Sequence, residues 1–100
     1  MAYITFQPSD YFNTVTWTGT ASSPVNVTGF GFQPDWVWTK KRNGTCDHHL
    51  FDVIRGATYK INAATTEANS ADANSLTAFT SNGFNVGTNS CQNSNSDTFV

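Results

Sequence analysis

The chain reads as an all-β domain, an antiparallel sandwich or jelly roll, and three observations point there. Short runs rich in Thr, Val, Trp and Phe recur along it, and each is closed by Gly, Pro or Asn. Within those runs apolar and polar residues alternate with the period of two that a half-buried strand needs. Finally, Thr, Asn and Ser fill 35 of the 100 positions while charged residues make up only 12%. Hydroxyls and amides therefore supply the polar surface, a pattern suited to extracellular or virion β-proteins rather than cytosolic enzymes.

Taken in order, Thr14–Thr20 is the first strand, with Val15, Trp17 and Gly19 opposite Thr14, Thr16 and Thr18. Ala21-Ser-Ser-Pro24 turns the chain, because Pro24 fixes φ and cannot donate to a ladder. Val25–Phe30 follows, ended by Gly29 and Gly31, and Gln33-Pro34-Asp35 punctuates again. In Trp36–Lys41, Trp36, Trp38 and Lys40 share one face and Val37, Thr39 and Lys41 the other. Asn43-Gly44 is the strongest short hairpin signal a sequence carries, so Arg42–Thr45 is expected to be a tight turn. Leu50–Ile54 and Thr58–Asn62 are strands separated by Arg55-Gly56. Ala63–Ser75 is read as a long polar loop. Leu76–Thr80, Phe84–Gly87 and Thr98–Val100 complete the set, with Asn82-Gly83 as a second turn. About eight short strands at this spacing make one sandwich domain over residues 21–100. Residues 1–20 form an aromatic arm or first strand.

That opening segment carries Tyr3, Phe6, Tyr11 and Phe12 around Pro8. Scattered aromatic residues at a terminus need a surface to bury against. The segment either packs on its own domain or docks on a neighbouring subunit, which makes these four residues the candidate inter-subunit contacts.

Charge and hydropathy exclude several classes. The net charge is −2 and the only basic run is Lys40-Lys41-Arg42. No nucleic-acid partner is expected, since binding needs clustered cations to displace counterions. The short basic run reads as a solvated turn. No stretch of roughly eighteen apolar residues is present, so no membrane insertion is expected. The N-terminus lacks a charged leader followed by an apolar stretch, so no secretory signal is read and release from the cell would follow lysis. Without an oxidising compartment, Cys46 and Cys91 are expected to remain two thiols.

Candidate chemistry is sparse. Cys46-Asp47-His48-His49 resembles metal ligands by type, but four consecutive side chains cannot converge on one ion, so no metal and no cofactor is expected. The run reads as a polar loop edge. Glycoside cleavage needs two convergent carboxylates. Glu67 lies in the polar loop, Asp35 in a turn, and Asp52 is expected to make a structural contact with Arg55 or with the backbone. Asp97, near Asn93 and Asn95, fits no calcium-loop spacing. No catalytic residue is assigned. Trp17, Trp36 and Tyr59, with Trp38, offer flat faces that can stack on sugars, which makes host-surface glycans a candidate partner. The competing assignment, that Trp36 and Trp38 face the core, is favoured.

The run Gly31-Phe-Gln-Pro-Asp-Trp-Val-Trp-Thr-Lys40, then Arg42 and His49-Leu-Phe-Asp-Val-Ile-Arg-Gly56, resembles a domain of marine and cyanobacterial phage virion proteins. So do Ser75-Leu-Thr-Ala-Phe-Thr-Ser-Asn-Gly-Phe-Asn-Val-Gly87, Asn93 and Asp97-Thr-Phe-Val100, and the opening Gln7-Pro-Ser-Asp-Tyr-Phe-Asn-Thr14. The resemblance implies a concanavalin-like lectin/glucanase sandwich in a tail fibre, tail-associated or head-decoration protein. It implies a virion location after assembly in the host cytoplasm, with other virion proteins and further copies of the chain as partners. In similar chains the final strand continues with aromatic residues. Here it stops at Val100, so either the chain is a fragment or its last strand is short. A missing strand would leave a sheet edge to be covered or paired.

Overall fold

The computed structural model describes Thr5 and residues 7–100. Tyr3 and Phe6 lie outside the described residues. The fold is all-β with antiparallel sheets in a sandwich-like arrangement. Its strands are β1 (Trp17–Thr18), β2 (Val25–Thr28), β3 (Trp36–Thr39), β4 (His49–Asp52), β5 (Tyr59–Asn62), β6 (Ser70–Ala71), β7 (Leu76–Thr80), β8 (Gly83–Val86) and β9 (Thr98–Phe99). A 3-10 turn at Pro8–Asp10 precedes them, and one helical turn, α1 (Ser90–Asn93), sits before β9.

One sheet has the order β2-β8-β7, the other β3-β4-β5-β6. Alternation decides what lies between them. In β3, Val37 and Thr39 are buried while Trp36 and Trp38 are exposed, and in β4, His49 and Phe51 are buried. Val37 and Phe51 from this sheet meet Val27, Leu76, Phe84 and Val86 from the other in one core cluster. Apart from Leu76, the inward set is β-branched or aromatic, as a pleated, half-buried surface favours.

β1 and β9 form a two-stranded ribbon, Trp17 opposite Phe99 and Thr18 opposite Thr98. The other side of β9 meets the chain just past β3. Lys40 N–H donates to the Val100 carbonyl at 2.8 Å, Val100 N–H to the Lys40 carbonyl at 3.0 Å, and Arg42 N–H to the Thr98 carbonyl at 2.8 Å. Part of the opening segment is thus built into the domain by Trp17, which is half-buried against Phe84 and Phe99 at 5.6 and 5.4 Å between ring centroids. The Trp17 indole N–H donates to the Gln92 carbonyl at 2.9 Å.

The two Asn-Gly signals have different outcomes. β7 and β8 form a hairpin in which Thr80 opposes Gly83, with Ser81 and Asn82 as the turn. Gly83 is required by a close approach, because a Cβ there would collide with the carbonyl of Val27 on β2. Asn43-Gly44 does not make the expected tight turn. The β3–β4 connection runs from Lys40 to His48, because β9 takes its backbone groups. Asn43 adds to that capture, its Nδ2 donating to Asp97 Oδ1 and its Oδ1 accepting from Thr98 N–H, both at 3.1 Å.

The two cysteines are joined, with Cα atoms 5.5 Å apart, which corrects the expectation of free thiols. The bond ties the β3–β4 connection to α1, elements separated by 45 residues. Ala63–Ser75 is largely loop as expected, with the short β6 inside it. The first strand is much shorter than Thr14–Thr20, because its ladder with β9 is limited to Trp17 and Thr18.

Candidate functional site

β3 is the edge of the four-stranded sheet, and it turns its two tryptophans outward. Trp36 is 49% and Trp38 55% exposed. This overturns the core assignment for the pair: Val37 and Thr39 occupy the inward positions, so period two sends both indoles to the other face. Their rings lie 6.2 Å apart in an edge-on arrangement. Trp38 Nε1–H donates to His48 Nδ1 at 2.8 Å, which places that imidazole's neutral-state proton on Nε2.

Beside β3 opens a cleft of about 830 Å³. It is lined by Asp10–Val15 and Phe32–Trp38, together with Phe30, Lys40, His48, Phe84 and Val100. Tyr11 and Phe12 are 71% and 68% exposed at this cleft. Asn13 holds the near wall in place, its Nδ2 donating to the Phe30 carbonyl at 3.4 Å and its Oδ1 accepting from Thr14 N–H at 2.9 Å. Asp10 is turned back to accept from Gln7 N–H at 2.8 Å.

The structure therefore redistributes the sequence candidates. Trp36 lines the cleft. Trp17 packs in the core instead, and Tyr59, though 43% exposed, lies on β5 and does not reach the cleft. Tyr11 and Phe12, proposed as contact residues, do line it. Trp38, Phe32 and His48 join them. The alternation in Trp-Val-Trp-Thr grouped Trp36 with Trp38, but both faces of that strand carry apolar residues, so spacing could not say which faces solvent.

The Cys46–His49 run is dispersed by the fold. Cys46 is in the disulfide, Asp47 accepts from Asn62 Nδ2 at 2.7 Å, and His48 faces Trp38. His49 is 5% exposed, correcting the polar-edge assignment. Gln92 Nε2 bridges it, 3.0 Å from His49 Nδ1 and 2.8 Å from Thr39 Oγ1. Burial, and then the positive charge of Lys60, hold the His49 imidazole below its ordinary value against the opposing pull of Asp47 and Asp72. Among the described residues no group of three or more His, Cys, Asp or Glu side chains is placed to hold a metal.

The carboxylates are engaged elsewhere. Asp52 forms an ion pair with Arg55 and accepts from its N–H at 2.8 Å, as the sequence suggested. Asp97 pairs with Lys41 at 2.7 Å and accepts from Ser94 Oγ. The Lys41 hydrogen bond, then that from Ser94, hold its carboxyl below the usual range. The basic run is not a freely solvated turn either: Lys40 Nζ donates to the Lys41 and Gly44 carbonyls at 2.7 and 3.2 Å. Glu67 is exposed in the loop before β6. No helix among the described residues is long and apolar enough to cross a membrane.

Residues 7–100 match the family described as Domain of unknown function (DUF7483), and the chain belongs to that family. No curated protein and no solved structure matches it.

Proposed function

We propose that this DUF7483 chain is a non-enzymatic structural component of a bacteriophage virion, tail-associated or decorating the head, that assembles through protein–protein contacts. The observation that carries the assembly part is the aromatic cleft along the open edge of β3, where Trp36, Trp38, Tyr11 and Phe12 all remain exposed. Large apolar side chains gathered in one concavity are what a partner surface buries. The virion setting rests on the resemblance carried by Gly31–Lys40, His49–Gly56 and Ser75–Gly87. Cryo-electron microscopy of purified particles, with light scattering on the isolated protein, tests both parts. Density on the capsid lattice or at the tail supports the proposal. A stable monomer that is absent from particles overturns it.

A second reading is favoured by one specific feature. Trp36 and Trp38 present two indoles 6.2 Å apart in a cleft that Asn13 and Asp35 also line, a mix of flat faces and polar residues of the kind that binds sugar rings. It requires saturable binding to host-surface polysaccharides that is lost in Trp36→Ala and Trp38→Ala while the fold persists. A panel of such polysaccharides that shows no binding eliminates it.

A further inference from the structure

We propose that Asn43-Gly44 is a self-modification site, where the Gly44 backbone nitrogen displaces the Asn43 side-chain amide as ammonia, and that the acid so formed loosens β9 from the β3–β4 connection. The proposal stands apart from the virion reading and draws only on the chain's own chemistry.

The reaction needs no co-reactant other than water. The Gly44 nitrogen gives up its proton and bonds to Asn43 Cγ, closing a succinimide ring. The Cγ–Nδ2 bond breaks, and the amide leaves as ammonia with that proton. Water then opens the ring at either carbonyl, leaving Asp or iso-Asp at position 43. Glycine suits the step because no side chain crowds the attacking nitrogen. The chain holds two Asn-Gly pairs, Asn43-Gly44 and Asn82-Gly83, and the fold treats them differently.

At Asn82-Gly83 the nucleophile is locked. Gly83 is buried in the β2-β8-β7 sheet, opposite Thr28 on one side and Thr80 on the other, and close against the Val27 carbonyl. Its nitrogen cannot turn towards Asn82 Cγ unless the hairpin opens. At Asn43-Gly44 the nucleophile is loose. Asn43 is exposed, and among the described residues the Gly44 N–H has no hydrogen-bond partner. The nearest atoms on the side where a Cβ would sit at Gly44 are the far end of the Lys41 side chain, which can swing away. The electrophile is prepared as well. Asn43 Oδ1 accepts from Thr98 N–H at 3.1 Å, a donor to the oxygen on which charge develops as the nitrogen adds. Asn82 Oδ1 has a like donor in Gly31 N–H at 2.7 Å, so the freedom of the nucleophile decides between the two sites.

The product disturbs β9. Asn43 Nδ2 donates to Asp97 Oδ1 at 3.1 Å. Conversion replaces that donor with an anionic oxygen, beside a carboxylate that its hydrogen bond from Lys41 holds ionised. An attraction becomes a like-charge contact. Iso-Asp also lengthens the main chain by one carbon. Asp97 leads directly into β9, so the disturbance falls on the bonds that hold this strand, from Lys40 N–H to the Val100 carbonyl and from Arg42 N–H to the Thr98 carbonyl.

The test ages the whole chain in mildly alkaline buffer and follows it by peptide mapping with mass spectrometry, which separates Asn, Asp and iso-Asp. Asn43 should convert at least about tenfold faster than Asn82, whose reaction waits on local opening of the hairpin. Amide hydrogen exchange at Lys40 and Arg42 reads the consequence. Both amides should exchange about fivefold faster in the aged protein and in Asn43→Asp, the factor that one lost hydrogen bond gives. In Asn43→Asp the change should shrink at high salt, which screens charge repulsion at an exposed site. No conversion at Asn43, or faster conversion at Asn82, overturns the site. Exchange that is unchanged in both the aged protein and Asn43→Asp overturns the loosening of β9, and a change that ignores salt overturns its electrostatic cause.

Discussion

Replacing both cysteines with serine should remove about 4 kcal/mol of stability. The magnitude follows from the sequence separation of 45 between Cys46 and Cys91. Closing a loop of that length in the unfolded chain costs about 13 cal/mol/K, or about 4 kcal/mol at 25 °C. For a domain whose whole margin is of order 5–15 kcal/mol, that is a large share. The bond matters locally as well, because it ties the connection that carries His48 to α1, whose Gln92 reaches His49. The assay is urea unfolding followed by tryptophan fluorescence, comparing the oxidised protein with Cys46→Ser/Cys91→Ser. At a slope of about 1.5 kcal/mol/M the midpoint should fall by roughly 2–3 M. A loss below about 1 kcal/mol would refute the argument, as would two titratable thiols in the native protein under non-reducing conditions.

Three further outcomes are expected. Trp36→Ala and Trp38→Ala should each cost no more than about 2.5 kcal/mol, since about half of each ring is already in water, whereas Phe51→Ala, fully buried, should cost about 3–5 kcal/mol; equal losses by urea unfolding would contradict the outward orientation. Asn93→Ala should cost about 3 kcal/mol, because its buried amide accepts from Thr20 N–H at 2.7 Å and donates to the Ser22 and Gly87 carbonyls at 2.9 and 2.8 Å. A loss under 1 kcal/mol by the same assay would show that water replaces those bonds. His49 has a folded-state value below the 6.5 of the unfolded chain, so the unfolded chain binds more protons just below that pH. Its contribution is complete above pH 6.5 and declines as pH falls, by up to about 1.4 kcal/mol per unit, until the folded-state group protonates. Asp97, also lowered, contributes above its ordinary value near 3.8 and loses that below it, a separate window. Denaturation midpoints between pH 7.5 and 5, compared with His49→Gln, should show a slope that the variant lacks.

Strand existence was legible because alternation is a local property. Leu76–Thr80 is found as read, and β2, β4, β5 and β8 lie within a residue or two of the sequence reading. The Asp52–Arg55 contact was legible too, since a half-buried carboxylate beside an arginine needs little long-range information. The candidate site was legible only in fragments. Trp36, Tyr11 and Phe12 were singled out for different reasons, and nothing in their spacing showed that they line one cleft.

The limit is physical. Period two tells which residues share a face, but not which face is buried when both carry apolar groups, and in Trp36–Thr39 only packing of Val37 against Phe51 and the opposite sheet decides. The same Asn-Gly pair makes a tight hairpin at Asn82-Gly83 and a long connection at Asn43-Gly44, because β9 competes for the backbone of the second. The disulfide depends on two loops meeting across 45 residues. Composition and alternation, being local, determined an all-β antiparallel chain; the outward tryptophans, the buried His49 and the open edge of β3 arise from long-range pairing, and only the assembled sheets could settle them.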